Sequence, residues 1–312
     1  MSRAIKILWI VIGSIFALGI VLAVVGFSLG ATGNAWFDRQ GLHFGGGGQQ
    51  NTLELADDNT ASFNNLNIQL LDADVQIVVA DNYGYDFNYT GANAPTAEVN
   101  SGTLTVVEQS NSWHVDFFNF WNANSRSTLK IYVPKDAVLD NVSISTASGN
   151  TTLSGDVVSI KNLNCKSLSG DINLTNFNLE QLSLDVASGN VTMKSVAADQ
   201  ATINLLSGWL NYNDAQLNSL VLSMASGNVN LDGEITGLLQ MHTLSGDATI
   251  TLSGSRDDYS FDFRKLSGDI RINGQLVDGN SSLPSTSSQS GNGQGGHISV
   301  DTASGSVNIN FR

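Results

Sequence analysis

The residues of this chain whose types could carry chemistry are four histidines, His43, His114, His242 and His297, and a larger scatter of carboxylates. The histidines have none of the short, regular spacings by which zinc sites are built. No serine stands in a Gly-x-Ser-x-Gly elbow. Gly45-Gly46-Gly47-Gly48 has neither the preceding strand nor the following helix that a phosphate-cradling loop requires. Paired carboxylates are the remaining catalytic possibility, because glycoside cleavage needs a general acid beside a base or nucleophile. Outward Asp185 and Glu180, and Asp171 and Asp156 near turns, are the candidates. They do not gather in one band, and no cluster of Arg or Lys accompanies them. The sequence therefore assigns no catalytic residue, metal or cofactor, and a glycan-active enzyme is kept as the alternative reading.

Behind these residues lies a repeat. Ser-Gly followed by Asp or Asn recurs at Ser169-Gly170-Asp171, Ser188-Gly189-Asn190, Ser226-Gly227-Asn228 and Ser245-Gly246-Asp247, with Ser207-Gly208-Trp209 in the gap, so that the glycines stand nineteen residues apart. A fixed period of this length marks stacked units, none of which can bury its own apolar face alone. Counted from each glycine, apolar residues fall at offsets 2 and 4, 7 and 9, and 12, 14, 16 and 17. In the unit from Gly170 these are Ile172, Leu174, Phe177, Leu179, Leu182, Leu184, Val186 and Ala187. Across the four units from Gly170 to Gly227 only Glu234, Thr236 and Thr243 depart from the pattern. Steps of two are the side-chain period of a strand, and each step of three is a corner. The expectation is an all-β, three-sided parallel β-solenoid, each coil turning once at Ser-Gly-Asp/Asn, where glycine reaches positive φ without cost. An antiparallel hairpin array is less compatible, because Asn-Gly type two-residue turns are not what recurs.

The corner residues Asn150, Asp171, Asn190, Asn228, Asp247 and Asp269 should then stack into a ladder, and Asn173, Thr192, Asn211 and Asn230 into a second. Such ladders could hold calcium, which takes six to eight oxygens, but the Gly-Gly-x-Gly-x-Asp nonapeptide of calcium-binding rolls is absent. Side-chain hydrogen bonding is the expected role. Cys165 occupies offset 14, where other coils carry Leu184, Ile203, Leu222 and Met241, and reads as a buried apolar residue. A single cysteine excludes any intrachain disulfide, which fits a bacterial envelope better than a eukaryotic secretory route.

The 312-residue chain also carries, from Ile7 to Leu29, a run without a charge, preceded by Arg3 and Lys6. At about 1.5 Å per residue it can cross a hydrocarbon core of about 30 Å, and the flanking basic residues place the N-terminus in the cytoplasm and the body outside. The remainder is more acidic than the whole chain's net charge of −14, which argues against phosphate contacts with nucleic acid and against docking on anionic lipid. The organisation expected is a cytoplasmic N-terminus at 1–6, a transmembrane anchor at 7–29, a flexible stalk at 30–62, an irregular β region and N-terminal cap at 63–141, and solenoid coils at 142–312 interrupted by a disordered surface loop at 273–296.

Aromatic residues Trp113, Phe117, Phe118, Phe120 and Trp121 fall close together before the strand that ends in Val133-Pro134-Lys135. They read either as a cover for the first coil or as an exposed binding loop. Together with Trp209, which stands where a corner Asp or Asn is expected, they form the candidate binding surface.

The N-terminal span, the segment Leu71-Asp72-Ala73-Asp74-Val75-Gln76-Ile77, the strand Leu129-Lys130-Ile131-Tyr132-Val133-Pro134-Lys135 and the Ser-Gly-Asp/Asn units together resemble a bacterial putative-adhesin family of β-strand-repeat domains of unknown function. The resemblance runs from about Phe63 to the end. It implies a solenoid-like fold and an envelope setting, and brings no catalytic residues. The expected function is binding, adhesion or scaffolding in the cell envelope, with a link to envelope-stress sensing. Expected partners are the lipid bilayer through the anchor, a cell-wall polymer, or a membrane or surface protein. A self-assembling surface protein is a further alternative, with self-association at the last coil, since Val307-Asn308-Ile309-Asn310-Phe311 ends the chain without a cap. If the corner ladders are held by hydrogen bonds, the melting temperature is the same in calcium and in chelator; a rise in calcium would identify a metal ladder.

Overall fold

The computed structural model describes residues 35–38, 41–44, 51–91, 95–108, 115–116, 127–277, 285–289 and 295–312. The proposed span at 7–29 and the aromatic residues Trp113, Phe117, Phe118, Phe120 and Trp121 lie outside them.

In chain order the strands are β1 (Ala35–Asp38), β2 (Gly41–Phe44), β3 (Asn51–Asp57), β4 (Asn65–Ala80), β5 (Gly84–Gly91), β6 (Thr96–Asn100), β7 (Thr103–Val107), β8 (Val115–Asp116) and β9 (Ser127–Pro134). Then come β10 (Val138–Ser148), β11 (Thr151–Ser154), β12 (Ser159–Ser169), β13 (Ile172–Ser188), β14 (Val191–Ser245) and β15 (Ala248–Leu252). The chain ends with β16 (Tyr259–Lys265), β17 (Ile270–Ile272), β18 (Gln275–Leu276), β19 (Ser285–Gln289), β20 (Gly296–Thr302) and β21 (Val307–Phe311). β1, β2 and β8 form a small antiparallel sheet. Strands β1, β2 and β3 fall inside the stretch expected to be a flexible stalk; in β3 the alternation Leu53-Glu54-Leu55 lets two leucines pack against the core.

The fold is all-β and solenoid-like. The nineteen-residue register appears directly as parallel pairing: Ile172 lies opposite Val191, Phe177 opposite Val196, Leu182 opposite Ala201 and Ser188 opposite Ser207. Within β13 the inward residues are Ile172 and Leu174, then Phe177 and Leu179, then Leu182, Leu184 and Val186, with two-residue breaks between the runs. One break is the left-handed residue Asn176 (φ 56°), followed one and two coils on by Ser195 (φ 50°) and Asp214 (φ 56°), short polar side chains that tolerate this conformation. The inward residues of all coils merge into one apolar column, and Cys165 lies in it at 1% exposure, its thiol pushed up to about 12 by burial.

Stack order departs from chain order at both ends. β20 pairs with β14 on one edge and β16 on the other, and β21 likewise with β15 and β17. The chain thus builds the outer coil, β16–β17, first and then returns to fill the level it skipped. At the other end β4 pairs with β10 and β11 on one edge and with β7 and β9 on the other. The uncapped last coil expected at Val307–Phe311 is therefore corrected: this is an interior strand, paired with β15 along its length and with β17 over Val307–Ile309.

The outermost coils are covered by antiparallel strands, which removes the open edges that invite further pairing. β5 lies on β9 and β6 on β7; at the far end β18 lies on β17 and β19 on β16. Both far-end covering strands come from the stretch expected to be a disordered loop. Aromatic side chains concentrate beside the ends, where rings close the column: Phe87 against Tyr89 at 5.5 Å, and Phe261 against Phe263 at 5.5 Å.

Deletion of residues 296–312 removes an interior level and leaves two facing edges unpaired. The cooperative thermal transition seen by circular dichroism should be lost, whereas a midpoint within a few degrees of the intact chain would mean that this coil is terminal.

Candidate binding face along the glycine corner

The Ser-Gly-Asp/Asn corner is set by backbone proximity. Gly208 and Gly227 have φ of 130° and 137°, and a Cβ on either would fall on the carbonyl oxygen of the glycine one level below. The glycine is therefore needed both for the turn and for the approach. The contact passes from Gly246 to Gly305 and then to Gly268, following the stack rather than the chain.

The next residue closes a ladder of side-chain hydrogen bonds. Asn150 N–H donates to Asp74 Oδ1 (2.7 Å), Asp171 N–H to Asn150 Oδ1 (2.9 Å), Asn190 N–H to Asp171 Oδ1 (2.8 Å) and Trp209 N–H to Asn190 Oδ1 (3.3 Å). Beyond the tryptophan it resumes with Asp247 N–H on Asn228 Oδ1 (3.3 Å) and Ser306 N–H on Asp247 Oδ1 (2.8 Å). Asp or Asn is required because its oxygen reaches the amide of the following coil. Trp209 has no such oxygen, so at Asn228 the ladder lacks its acceptor.

Two residues before each glycine the chain presents a row that the repeat had placed in the core. Offsets 16 and 17 are both apolar, yet consecutive strand residues point to opposite faces. The first goes inward and the second outward. Leu168, Leu206, Leu244 and Leu266 are 64%, 61%, 65% and 62% exposed, and Leu71 is 42% exposed. The levels between them carry Ala147, Ala187, Ala225 and Ala303, all half-buried. In stack order the row reads Leu71, Ala147, Leu168, Ala187, Leu206, Ala225, Leu244, Ala303, Leu266. Leucine and alanine alternate without a fault, including across both places where stack and chain order differ. Grooves open over the alanines, one of about 570 Å³ between Leu168 and Leu206 and one of about 590 Å³ from Leu206 past Leu244 to Leu266.

Beside this row runs a second, two residues earlier in each coil. In it Lys166 Nζ lies 3.6 Å from Asp185 Oδ2 and His242 Nδ1 lies 4.0 Å from Asp301 Oδ2, and exposed Arg264 stands opposite Asp301 on the next strand. Asn204 Nδ2 also donates to Asp185 Oδ1 at 2.7 Å.

Of the candidate binding residues, the described one is Trp209, which stands 66% exposed at the corner three residues after Leu206. The four candidate carboxylates are not brought together. Asp171 serves the corner ladder, Asp185 lies beside the leucine row, Asp156 accepts from Asn176 Nδ2 at 2.7 Å at a second corner, and Glu180 lies at a third, near Lys161. Ser260 Oγ is 2.9 Å from His297 Nδ1, and His297 Nε2 is 3.4 Å from Asp262 Oδ2. This Ser-His-Asp contact spans two adjacent strands on an outer face, with the His297 and Asp262 side chains about half exposed, and the water-excluded, preorganised donors of an acyl-transfer site do not surround it. Among the described residues no group of His, Cys, Asp and Glu could hold a metal ion.

The outward leucines were missed, although a signal for them existed in the doubled apolar positions at the end of each third run. Residues 63–310 match the family described as Toastrack DUF4097. No curated protein sequence matches the chain. Solved structures similar to it include a protein of Bacteroides fragilis described as a putative adhesin, at 12% identity and a TM-score of 0.47 over 84% of this chain and 98% of that one. A Parabacteroides distasonis protein described as a putative lipid binding protein matches at 18% identity and a TM-score of 0.45, over 84% and 98%. A Clostridium sporogenes protein described as a putative cell adhesion protein matches at 14% and 0.31, over 84% and 100%.

Trp209→Asn supplies the missing ladder acceptor and should stabilise the protein by about 1 kcal/mol, while Asp171→Ala, which orphans the Asn190 amide, should cost about 1–2 kcal/mol. Equal melting midpoints for all three proteins would remove the ladder from the account of stability.

Proposed function

The chain belongs to the Toastrack DUF4097 family, and on that footing we propose that it is a membrane-anchored binding or scaffolding module of the bacterial cell envelope, working through the leucine row. The observation that carries this reading is the alternating row itself. The largest apolar patch on a protein surface, of a few hundred Å², is often a place of contact, the more so when rimmed by polar residues. Here it is held on a rigid corner whose pitch is set by backbone contact, so its leucines are already in place before a partner arrives. The apolar stretch at 7–29 supplies the anchor, with Arg3 and Lys6 inside and the acidic body outside. A role in stress sensing or adhesion is a use to which such a tethered strip is suited.

Glycan cleavage is the weaker reading. Its candidate carboxylates are spread over three corners and a strand face, and three of them are engaged in hydrogen bonds or an ion pair that hold the coils together.

In cells, a reporter joined after Arg312 should be active outside the cytoplasm and stay with the membrane fraction. A photo-crosslinking residue at Leu206 or Leu244 should give protein adducts that the same residue at Thr192, on an outward position of another side, does not. Adducts at all three positions alike, or at none, would remove the row from the function.

A further inference from the structure

We propose that the occupant of the leucine row is a second copy of the chain, docked antiparallel so that each leucine enters the notch over an alanine of the other copy. The proposal rests on the reading of the row as a contact surface and names what it contacts.

The pattern is self-complementary in one sense only. Levels of a stack are about 4.8 Å apart. A two-fold axis along the stack would set leucine against leucine. An axis across it, midway between the levels of Leu206 and Ala225, sets Leu206 against Ala225, Leu168 against Ala303, Leu244 against Ala187 and Leu266 against Ala147, each way round. A two-fold contact demands this reciprocity, residue i on j and j on i.

The charged row selects the register. The same axis keeps that row facing its own counterpart, with Lys166 opposite Asp301 and Asp185 opposite His242. Lys166 of each copy thereby meets Asp301 of the other, and the Asp185 carboxylate meets the His242 ring, which carries an N–H donor in its neutral as in its charged form. The other leucine-into-alanine register of similar overlap sets Lys166 against Ser223 and Asp185 against Asn204, and loses both matches. Complementary charge of this kind fixes register and suppresses the wrong alignment. It also locally offsets the repulsion expected between two acidic bodies. Trp209 falls at the level next to the axis, where an aromatic anchor at the centre of a contact does most. The site that breaks the corner ladder is thus the one a dimer would use.

The strip is narrow. Eight levels by a width of about 12 Å gives about 450 Å² per copy, near 900 Å² in all, below the roughly 1,200 Å² of stable interfaces. The dimer is therefore weak in dilute solution and favoured where anchoring in one membrane raises the effective concentration.

The test uses the full chain reconstituted into lipid vesicles, where the anchor keeps copies at high effective concentration, with cysteine introduced at Ala225, next to the axis, or at Ala147, far from its own symmetry mate. The native Cys165 is buried and does not compete. Mild oxidation should link Ala225→Cys into a dimer and leave Ala147→Cys monomeric. Adding Lys166→Asp to Ala225→Cys should lower the linked fraction at least about fivefold, and adding Asp301→Lys as well should restore it. Linking that ignores both reversals, or that is as strong at residue 147, overturns the proposal. If Ala225→Cys stays monomeric while Leu206 still gives photo-adducts with other proteins in cells, the second copy is wrong and the contact surface stands. Loss of both removes both.

Discussion

The structure depends on one close contact: the corner glycine of each coil resting on the carbonyl of the corner residue below it, Ala73 under Gly149 and a glycine at each level from Gly170 to Gly268. Hydrogen bonds along a strand ladder set the pitch of any sheet, but they leave corners free to bulge. Here the corner is pinned from both directions, by a backbone approach that excludes a Cβ and by an Asp or Asn oxygen that takes the amide of the following coil. Every other row inherits its straightness from this one. The leucine row lies two residues away and the charged row four, too few for either to drift. A surface that reads as a regular strip is the outward sign of a constraint inside the turn.

The ends obey a different requirement. A stack of identical coils has no reason to stop, and a bare final coil would show apolar column and unpaired edge. Each end is finished by antiparallel strands from the stretch of chain that follows the outermost or next-to-outermost coil, and by rings such as Phe87 and Phe261 that close the core. The cost is a topology in which the chain overshoots, caps itself and comes back.

Much of the coil was legible in sequence, because spacing of two and three along nineteen residues leaves little freedom: the inward runs, the corners and the burial of Cys165 follow from it. Stack order was not. A repeat describes what each level looks like and is silent on which level lies beside which, so Gly305 could be placed in a coil but not between Gly246 and Gly268. One trace existed, since Gly246 and Gly268 stand further apart than nineteen residues, and the additional residues around the short turn at Arg256–Asp258 carry the chain past the empty level. The outward leucines were hidden for the opposite reason. Val186-Ala187 and Leu205-Leu206 look like a thicker core until strand geometry forces one of each pair out.

The filled-in level bears on how the molecule is made. A chain made from its N-terminus can lay down coil upon coil as each emerges, but the slot between β14–β15 and β16–β17 stays open until β20 and β21 have emerged. Completion is thus tied to β20 and β21 rather than to any earlier point along the chain. Until then two raw edges face each other across a gap one strand wide, a template that accepts the chain's own tail in preference to any stranger because the tail is already tethered beside it. A chain truncated before β20 fails at an interior level, one short of the end of its stack.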